Sequence, residues 1–418
     1  MQKLISLVKS SGSRDTLMLL AGNLCEAFFA FLFTIISYRM MTTSDFGIFS
    51  ALNNFIFTSV IVLDIGIGQA LLHFLPIYRK EQDKYIGTAL AIRLFLSGLI
   101  CLLTLIFALP LSVKVFRSVT PVPVMIAGLA IVTVSFFDTI VFTLQGLKKF
   151  AVAVILSNSF SFLRFLGSLV FFLTAISYGY SKANAITFIA SVIVFFIIII
   201  FLRIPGNFRL NFDRLRMKEF LHFSGGLGVL KISQNAALRL DIQMVIILLG
   251  TVSAGVYSVA ARLGNFYPIA IASLTSVFAS RLSAHSDKAS LKRISKKALM
   301  AVAVVVAGIL FCSLFSYQII SLLFGSNTYQ AGHIYRYLSL SYIPLVLASL
   351  PLSLIIYWFK KPGIAGKLGL IQLVLIISGH FLLIPQFHEM GPVISLSIAN
   401  TSLLLTSLVV VKKLWTSA

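Results

Sequence analysis

Apolar residues run along this chain in blocks of about twenty, separated by short polar or basic segments. Residues 94–113 (LFLSGLICLLTLIFALPLSV) and 183–202 (ANAITFIASVIVFFIIIIFL) are typical. About 20 apolar residues suffice for one helical crossing of a bilayer. The pattern predicts helices near 16–38, 48–75, 88–110, 121–144, 151–176, 184–202, 222–250, 254–281, 298–324, 334–358, 364–385 and 391–411. The seventh is the least apolar. A transmembrane barrel would show short alternating strands, and these unbroken runs exclude it. The expected fold class is therefore an all-α integral membrane protein with about twelve transmembrane helices.

Composition agrees. Of 418 residues, 59% are hydrophobic and 11% charged, and mean hydropathy is +1.01. Soluble domains carry roughly a quarter charged residues. The formal net charge of +22 would suggest nucleic acid in a soluble protein, but its placement points elsewhere. With the N-terminus inside, the cytoplasmic segments hold 24 of the 34 basic residues. The opposite side holds only Arg39, Lys114, Arg117, Lys182 and Arg336. This is the positive-inside pattern, so both termini are expected in the cytoplasm and no nucleic-acid partner is implied. Cys25, Cys101 and Cys312 all lie in apolar stretches and read as small hydrophobes, with no disulfide or metal site.

The longest basic loop, 203–221, divides the chain into an N-terminal six-helix bundle (1–202) and a C-terminal one (222–418). Six is even, so both halves enter the membrane in the same sense, as parallel repeats do. A short echo at an offset of 208 supports a pseudo-repeat. DFGIFS at 45–50 meets SAGVYS at 253–258, aligning Gly47 with Gly255, Phe49 with Tyr257 and Ser50 with Ser258.

The chain lacks a G-x-x-x-x-G-K-[ST] phosphate loop, a D-x-D pair and any zinc-binding extension of His388-Glu389. The predicted outer loops are too short for a catalytic domain. These features argue against an enzyme and imply no cofactor. What remains is charge inside the membrane, where each base at a helix centre costs roughly 2.5–3.5 kcal/mol to insert. The bases are Arg93, Arg164, Lys231, Arg239 and Arg262; the acids are Glu26, Asp64, Asp138 and Asp241. On a continuous seventh helix, Lys231, Gln234, Asn235, Arg239 and Asp241 fall within about 160° of arc. Arg239 and Asp241 would stand at opposite edges, so each needs a partner elsewhere. On the fifth helix, Ser157, Ser161, Arg164 and Ser168 fall within about 60°. That stripe fits an anion-holding groove, and equally a packing face of small residues with a structural arginine. Arg93, near a cytoplasmic helix end, is expected to snorkel to the surface. Glu26 reads as a coupling carboxylate or as the partner of Arg164, and Asp138 is equally open. Pro268, Pro344 and Pro351 allow kinks in the eighth and tenth helices.

Two ordered sets of residues go further. The first is Arg39, then Asp45-Phe46-Gly47-Ile48-Phe49, then Asp64-Ile65-Gly66-Ile67-Gly68. The second is Arg239-Leu240-Asp241, then Gly255-Val256-Tyr257-Ser258-Val259-Ala260-Ala261-Arg262. Together with length and layout, they resemble the polysaccharide transporter (Wzx-type flippase) family of the multidrug/oligosaccharidyl-lipid/polysaccharide exporter superfamily. The resemblance implies two six-helix bundles around a central cavity in the cytoplasmic membrane. It also implies alternating access that moves a lipid-linked oligosaccharide, an undecaprenyl-pyrophosphate glycan such as an O-antigen unit, driven by a proton or sodium gradient. Its basic residues would hold the pyrophosphate or acidic sugars, which maps to Arg164, Lys231, Arg239 and Arg262. Glu26, Asp138 and Asp241 are left as ion-coupling or charge-pair residues. The glycines around Asp64 favour a structural role for it. The alternative is a cation-coupled exporter of small amphipathic molecules, which would rely on Glu26, Asp64 or Asp138.

Overall fold

A computed structural model describes residues 11–64, 66–118, 120–201, 213, 216, 218–219, 239–283, 288–325 and 328–416. Lys231, Gln234 and Asn235, and most of the predicted basic linker, lie outside the described residues. The described residues are almost wholly helical and contain no strand. In lipid a backbone must satisfy its own hydrogen bonds, and helices do so within one segment. Nine helical segments among the described residues are long and apolar enough to cross a membrane. The last, 362–416, folds back on itself into two helices. The chain forms two compact units, Met1–Ile232 and Ser233–Ala418.

In the first unit the helices are α1 (Ser11–Met40), α2 (Thr43–Asp64), α3 (Ile67–Ile77), α4 (Gln82–Ile106), α5 (Val122–Gly146), α6 (Phe150–Leu173) and α7 (Tyr180–Phe201). The single helix predicted at 48–75 is broken between Asp64 and Ile67. Gly66 takes the left-handed conformation, φ 82°, which a residue with a Cβ adopts only at a cost. The Gly68 N–H then donates to Asp64 Oδ1 at 2.9 Å. A Cβ on Gly68 would lie 2.6 Å from the Phe142 ring, so α3 sits tightly on α5. At the next corner, Thr42 Oγ1 accepts the Asp45 N–H at 3.1 Å and caps the start of α2. Helices α1 and α6 pack along their lengths. Asn158 Nδ2 donates to the Gly22 carbonyl at 3.2 Å, and Phe29 meets Phe162 edge-on at 5.2 Å.

In the second unit follow α8 (Leu240–Leu249), α9 (Thr251–Gly264), α10 (Phe266–Ser283), α11 (Lys288–Leu314), α12 (Ser316–Phe324), α13 (Tyr329–Ser341), α14 (Ile343–Ser353), α15 (Pro362–Phe387) and α16 (Gly391–Thr416). The predicted eighth and tenth helices each break in two, at Asn265 and Tyr342. Proline explains both. It has no N–H for the carbonyl four residues back, so Pro268 releases Gly264, where α9 ends, and Pro344 releases Leu340, one residue before the end of α13. Pro110 similarly releases Ile106, the last residue of α4. Polar contacts hold these joints. Tyr267 Oη donates to Ser339 Oγ at 2.8 Å and lies 2.9 Å from Tyr335 Oη. Asn400 Nδ2 donates to the Ser341 carbonyl at 2.8 Å, and Asn400 Oδ1 accepts from Gln372 Nε2 at 2.7 Å.

Candidate functional site

The intramembrane charges gather into separate groups. In the first unit Arg93 does not snorkel: its side chain is 1% exposed. Nη2 lies 2.5 Å from Asp138 Oδ2 and 3.6 Å from Asp64 Oδ1. Nε donates to Thr139 Oγ1 at 3.0 Å and Nη1 to the Val60 carbonyl at 2.9 Å. This corrects the expectation from sequence. Counter-charges on α2 and α5 make burial cheaper than extending the side chain to water. Asp64 is 1% exposed and serves both the arginine and the α2–α3 break, a structural role. Asp138 is 34% exposed, so one carboxylate of the trio faces an accessible space.

Arg164 is buried between Ser161 and Ser168, one turn away on either side. Its Nη2 donates to Asn53 Oδ1 at 2.9 Å. Its guanidinium lies 4.3 Å from the centroid of Phe33, with Phe57 and Phe160 at 5.5 and 5.4 Å. Stacked on aromatic faces and bonded to an amide, it is held in place by cation–π attraction as well as a hydrogen bond. Glu26, half-buried, is within electrostatic reach of both Asp138 and Arg164, which links the two groups.

The second unit holds the other group. Arg239 immediately precedes α8 in a non-helical turn (φ −132°, ψ −14°). The arc drawn for a continuous helix therefore does not carry across residue 239. Asp241, in the first turn of α8, accepts Tyr257 Oη at 2.7 Å and the Ile242 N–H at 2.7 Å. The expected partner elsewhere is thus Tyr257, on α9. Arg262, also on α9, lies within electrostatic reach of Arg239 and Asp241. Its buried Nε finds no hydrogen-bond partner among the described residues. From α15, His380 reaches the field of Asp241.

The offset of 208 shows what is particular to this unit. Helices α2 and α9 begin that far apart, at Thr43 and Thr251, and the matched Ser50 and Ser258 are both fully buried. At the same offset Asp241 corresponds to Phe33 and Tyr257 to Phe49. In the first unit those two rings pack edge-on, 5.7 Å between centroids. The contact is thus apolar in one repeat and a carboxylate–phenol hydrogen bond in the other. The fold itself accepts the apolar version. Asn54 likewise stands where the second unit has Arg262.

A further cluster lies at the start of α4. Arg216 Nη1 donates to both oxygens of Glu219 (2.9 and 3.0 Å) and to Tyr85 Oη at 3.1 Å. Nη2 pairs with Glu81, and Tyr85 Oη donates to Glu219 Oε2 at 2.7 Å. The hydrogen bonds that Arg216 donates to Glu219 raise its guanidinium above its ordinary pKa.

Sequence reasoning missed Asn53, His380 and the Arg216 cluster, and gave Tyr257 no role. Only Tyr257 carried a signal, since it lies in the quoted repeat. No group of three or more His, Cys, Asp or Glu able to hold a metal occurs among the described residues.

A family model described as "Polysaccharide biosynthesis protein" matches residues 13–279. A search of curated proteins finds no match. Among solved structures, the fold is similar to that of the lipid II flippase MurJ in an inward closed conformation. The TM-score is 0.77 at 15% identity, covering 95% of this chain and 87% of that one. It is also similar to an inward-facing multidrug resistance MATE family transporter of the MOP superfamily. There the TM-score is 0.73 at 14% identity, covering 94% and 96%. A Pyrococcus furiosus transporter of the same superfamily, described as having a binding pocket of reverse polarity, gives a TM-score of 0.63 at 14% identity, covering 96% and 95%.

Proposed function

Since the chain belongs to the polysaccharide biosynthesis protein family, we propose that it is a flippase for a polyprenyl-pyrophosphate-linked oligosaccharide. It works in the cytoplasmic membrane, with both termini inside. The observation that carries this reading is the pair Arg239 and Arg262, two guanidinium groups close enough to feel one another with Asp241 as the nearby acid. One of them keeps a buried N–H without a partner among the described residues. A positive field in a low-dielectric setting favours an anion that supplies the missing acceptors, as a pyrophosphate does. Likeness of fold to a lipid II flippase supports the same class of cargo.

On this reading the apolar lipid tail stays in the bilayer while the headgroup crosses. Arg239 and Arg262 meet the phosphates. Arg164, held by Asn53 and three rings, contributes fixed charge rather than a mobile contact. Helices broken at Asn265 and Tyr342 let their segments tilt as the site is exposed to one side and then the other. Ion binding at Asp241, Glu26 or Asp138 resets the cycle. A second reading, a cation-coupled exporter of small molecules, is favoured by one observation: the part-exposed Asp138 within reach of Glu26.

The leaflet position of the lipid-linked glycan decides between them. Spheroplasts lacking the protein, probed with an impermeant lectin, are expected to show glycan trapped inside. Wild type restores surface labelling, and Arg239→Ala or Arg262→Ala restores less than a tenth of it. Surface glycan that reaches normal levels without the protein, in a strain with no second flippase, overturns the proposal. Protein-dependent dye efflux that Asp138→Asn abolishes would then favour the exporter.

A further inference from the structure

We infer that Nε2 of His380, on a helix packed against the one that carries Asp241, is a reversible protonation site, and that the two residues together are the point where a proton enters the working cycle. The ring is 2% exposed and its two nitrogens differ. Nδ1 lies 2.5 Å from the Ile376 carbonyl and 3.0 Å from Ser395 Oγ. Ser395 Oγ itself donates to the Ile376 carbonyl at 3.0 Å. A carbonyl oxygen only accepts, so Nδ1 carries the hydrogen. Nε2 therefore presents a bare lone pair, and it has no hydrogen-bond partner among the described residues. An imidazole fixed in one tautomer with a buried basic nitrogen is a proton acceptor waiting for a donor.

The surroundings supply the counter-charge. α8 packs against α15 and brings Asp241 into the field of His380. The other groups facing Asp241 are Tyr257, which donates to it, together with Tyr342 and the cations Arg239 and Arg262. α16 offers Ser395 to the ring, and its charges, Lys412 and Lys413, lie at its far end. His388 and Glu389 lie eight and nine residues further along the chain, about 12 Å by helical rise, and Tyr357 belongs to the turn before α15. Proton addition to Nε2 gives an imidazolium beside the Asp241 carboxylate, and its loss restores the neutral ring. The proton comes from water on one side and returns to water on the other. No bond other than N–H forms or breaks.

Two features argue against a purely structural role. The first repeat fills the Asp241–Tyr257 position with Phe33 and Phe49, so the fold does not need a carboxylate there. A buried nitrogen without a donor also destabilises a core, which a packing role would not select. Protonation would draw Asp241 toward His380 and away from Arg239 and Arg262, freeing the two arginines for an anion. The protonation site stands by itself, while its place in a working cycle and this last step rest on the flippase reading.

The test uses the full chain in lipid nanodiscs with ¹⁵N-labelled histidine. The His380 signals are assigned by their loss in His380→Gln, and independently in a variant keeping His380 alone of the six histidines. Over a series of pH values His380 is expected to titrate as a single step, with Nε2 carrying the shift. Asp241→Asn is expected to displace that step by about 1 pH unit, as loss of an opposite charge requires. A His380 signal that stays constant across the range, or that is indifferent to Asp241→Asn in folded protein, overturns the site. Folded His380→Gln is expected to lose lectin labelling, and labelling that stays at the wild-type level overturns the pair as the point of proton entry. Failure of the flippase test with an intact titration leaves the site standing.

Discussion

Arg93 shows how a single residue is decided by neighbours that its own sequence position does not reveal. Read along its helix, it stands near an inner end and a path to water is open. In the folded unit Thr139, Val60, Asp138 and Asp64 meet every nitrogen of its guanidinium. Arg93→Ala would leave two carboxylates in a low-dielectric site and is expected to destabilise the protein by about 3–5 kcal/mol. Asp138→Asn keeps one counter-charge and should cost far less. Thermal unfolding in detergent checks the order: the arginine variant should melt well below the asparagine one. Equal losses would mean that the trio is not a unit. Asp64 was legible in sequence because its glycines travel with it, and those glycines set the chain break it caps. His380 was not legible, since everything that distinguishes it comes from α8 and α16.

At the scale of elements, apolar run length placed most helices, and the structure changed mainly their continuity. Gly66, Pro110, Pro268 and Pro344 all mark interruptions for local reasons that can be read residue by residue. The α2–α3 corner gives a sharp test. Gly68→Ala forces a methyl into the Phe142 ring and is expected to cost about 1–3 kcal/mol. If the ring is the obstacle, Phe142→Ala should cost less in the Gly68→Ala background than alone, a coupling that a double-mutant cycle of melting temperatures measures. The Arg216 cluster ties chain beyond α7 to the start of α4. It is partly exposed, and its ion pairs are worth about 1 kcal/mol at most. Glu81→Gln should therefore speed tryptic cleavage after Arg216 several-fold in native protein, without shifting the melting temperature. An unchanged cleavage rate would mean that the clasp does not hold.

At the scale of the whole molecule, the pseudo-repeat separates what the fold needs from what the work needs. Asp241→Leu combined with Tyr257→Phe gives the second unit the apolar contact that the first already uses. Replacing a buried polar pair by apolar groups of similar size is often neutral for stability. This double variant is expected to reach the membrane in normal amount and melt within a few degrees of wild type, yet lose glycan flipping. Loss of expression would instead make the polar pair a folding requirement. The helix pattern conveyed the repeat only as six aligned residues; the contrast inside it needed side-chain contacts. The buried trio has a last consequence, for biosynthesis. Arg93 leaves the ribosome after Asp64 but 45 residues before Asp138, a delay of about 2–9 s at ordinary elongation rates. For that interval the nascent chain holds an arginine with half of its eventual counter-charge. α4 must then wait at the lipid headgroups, or lean on Asp64, until α5 arrives to let it settle.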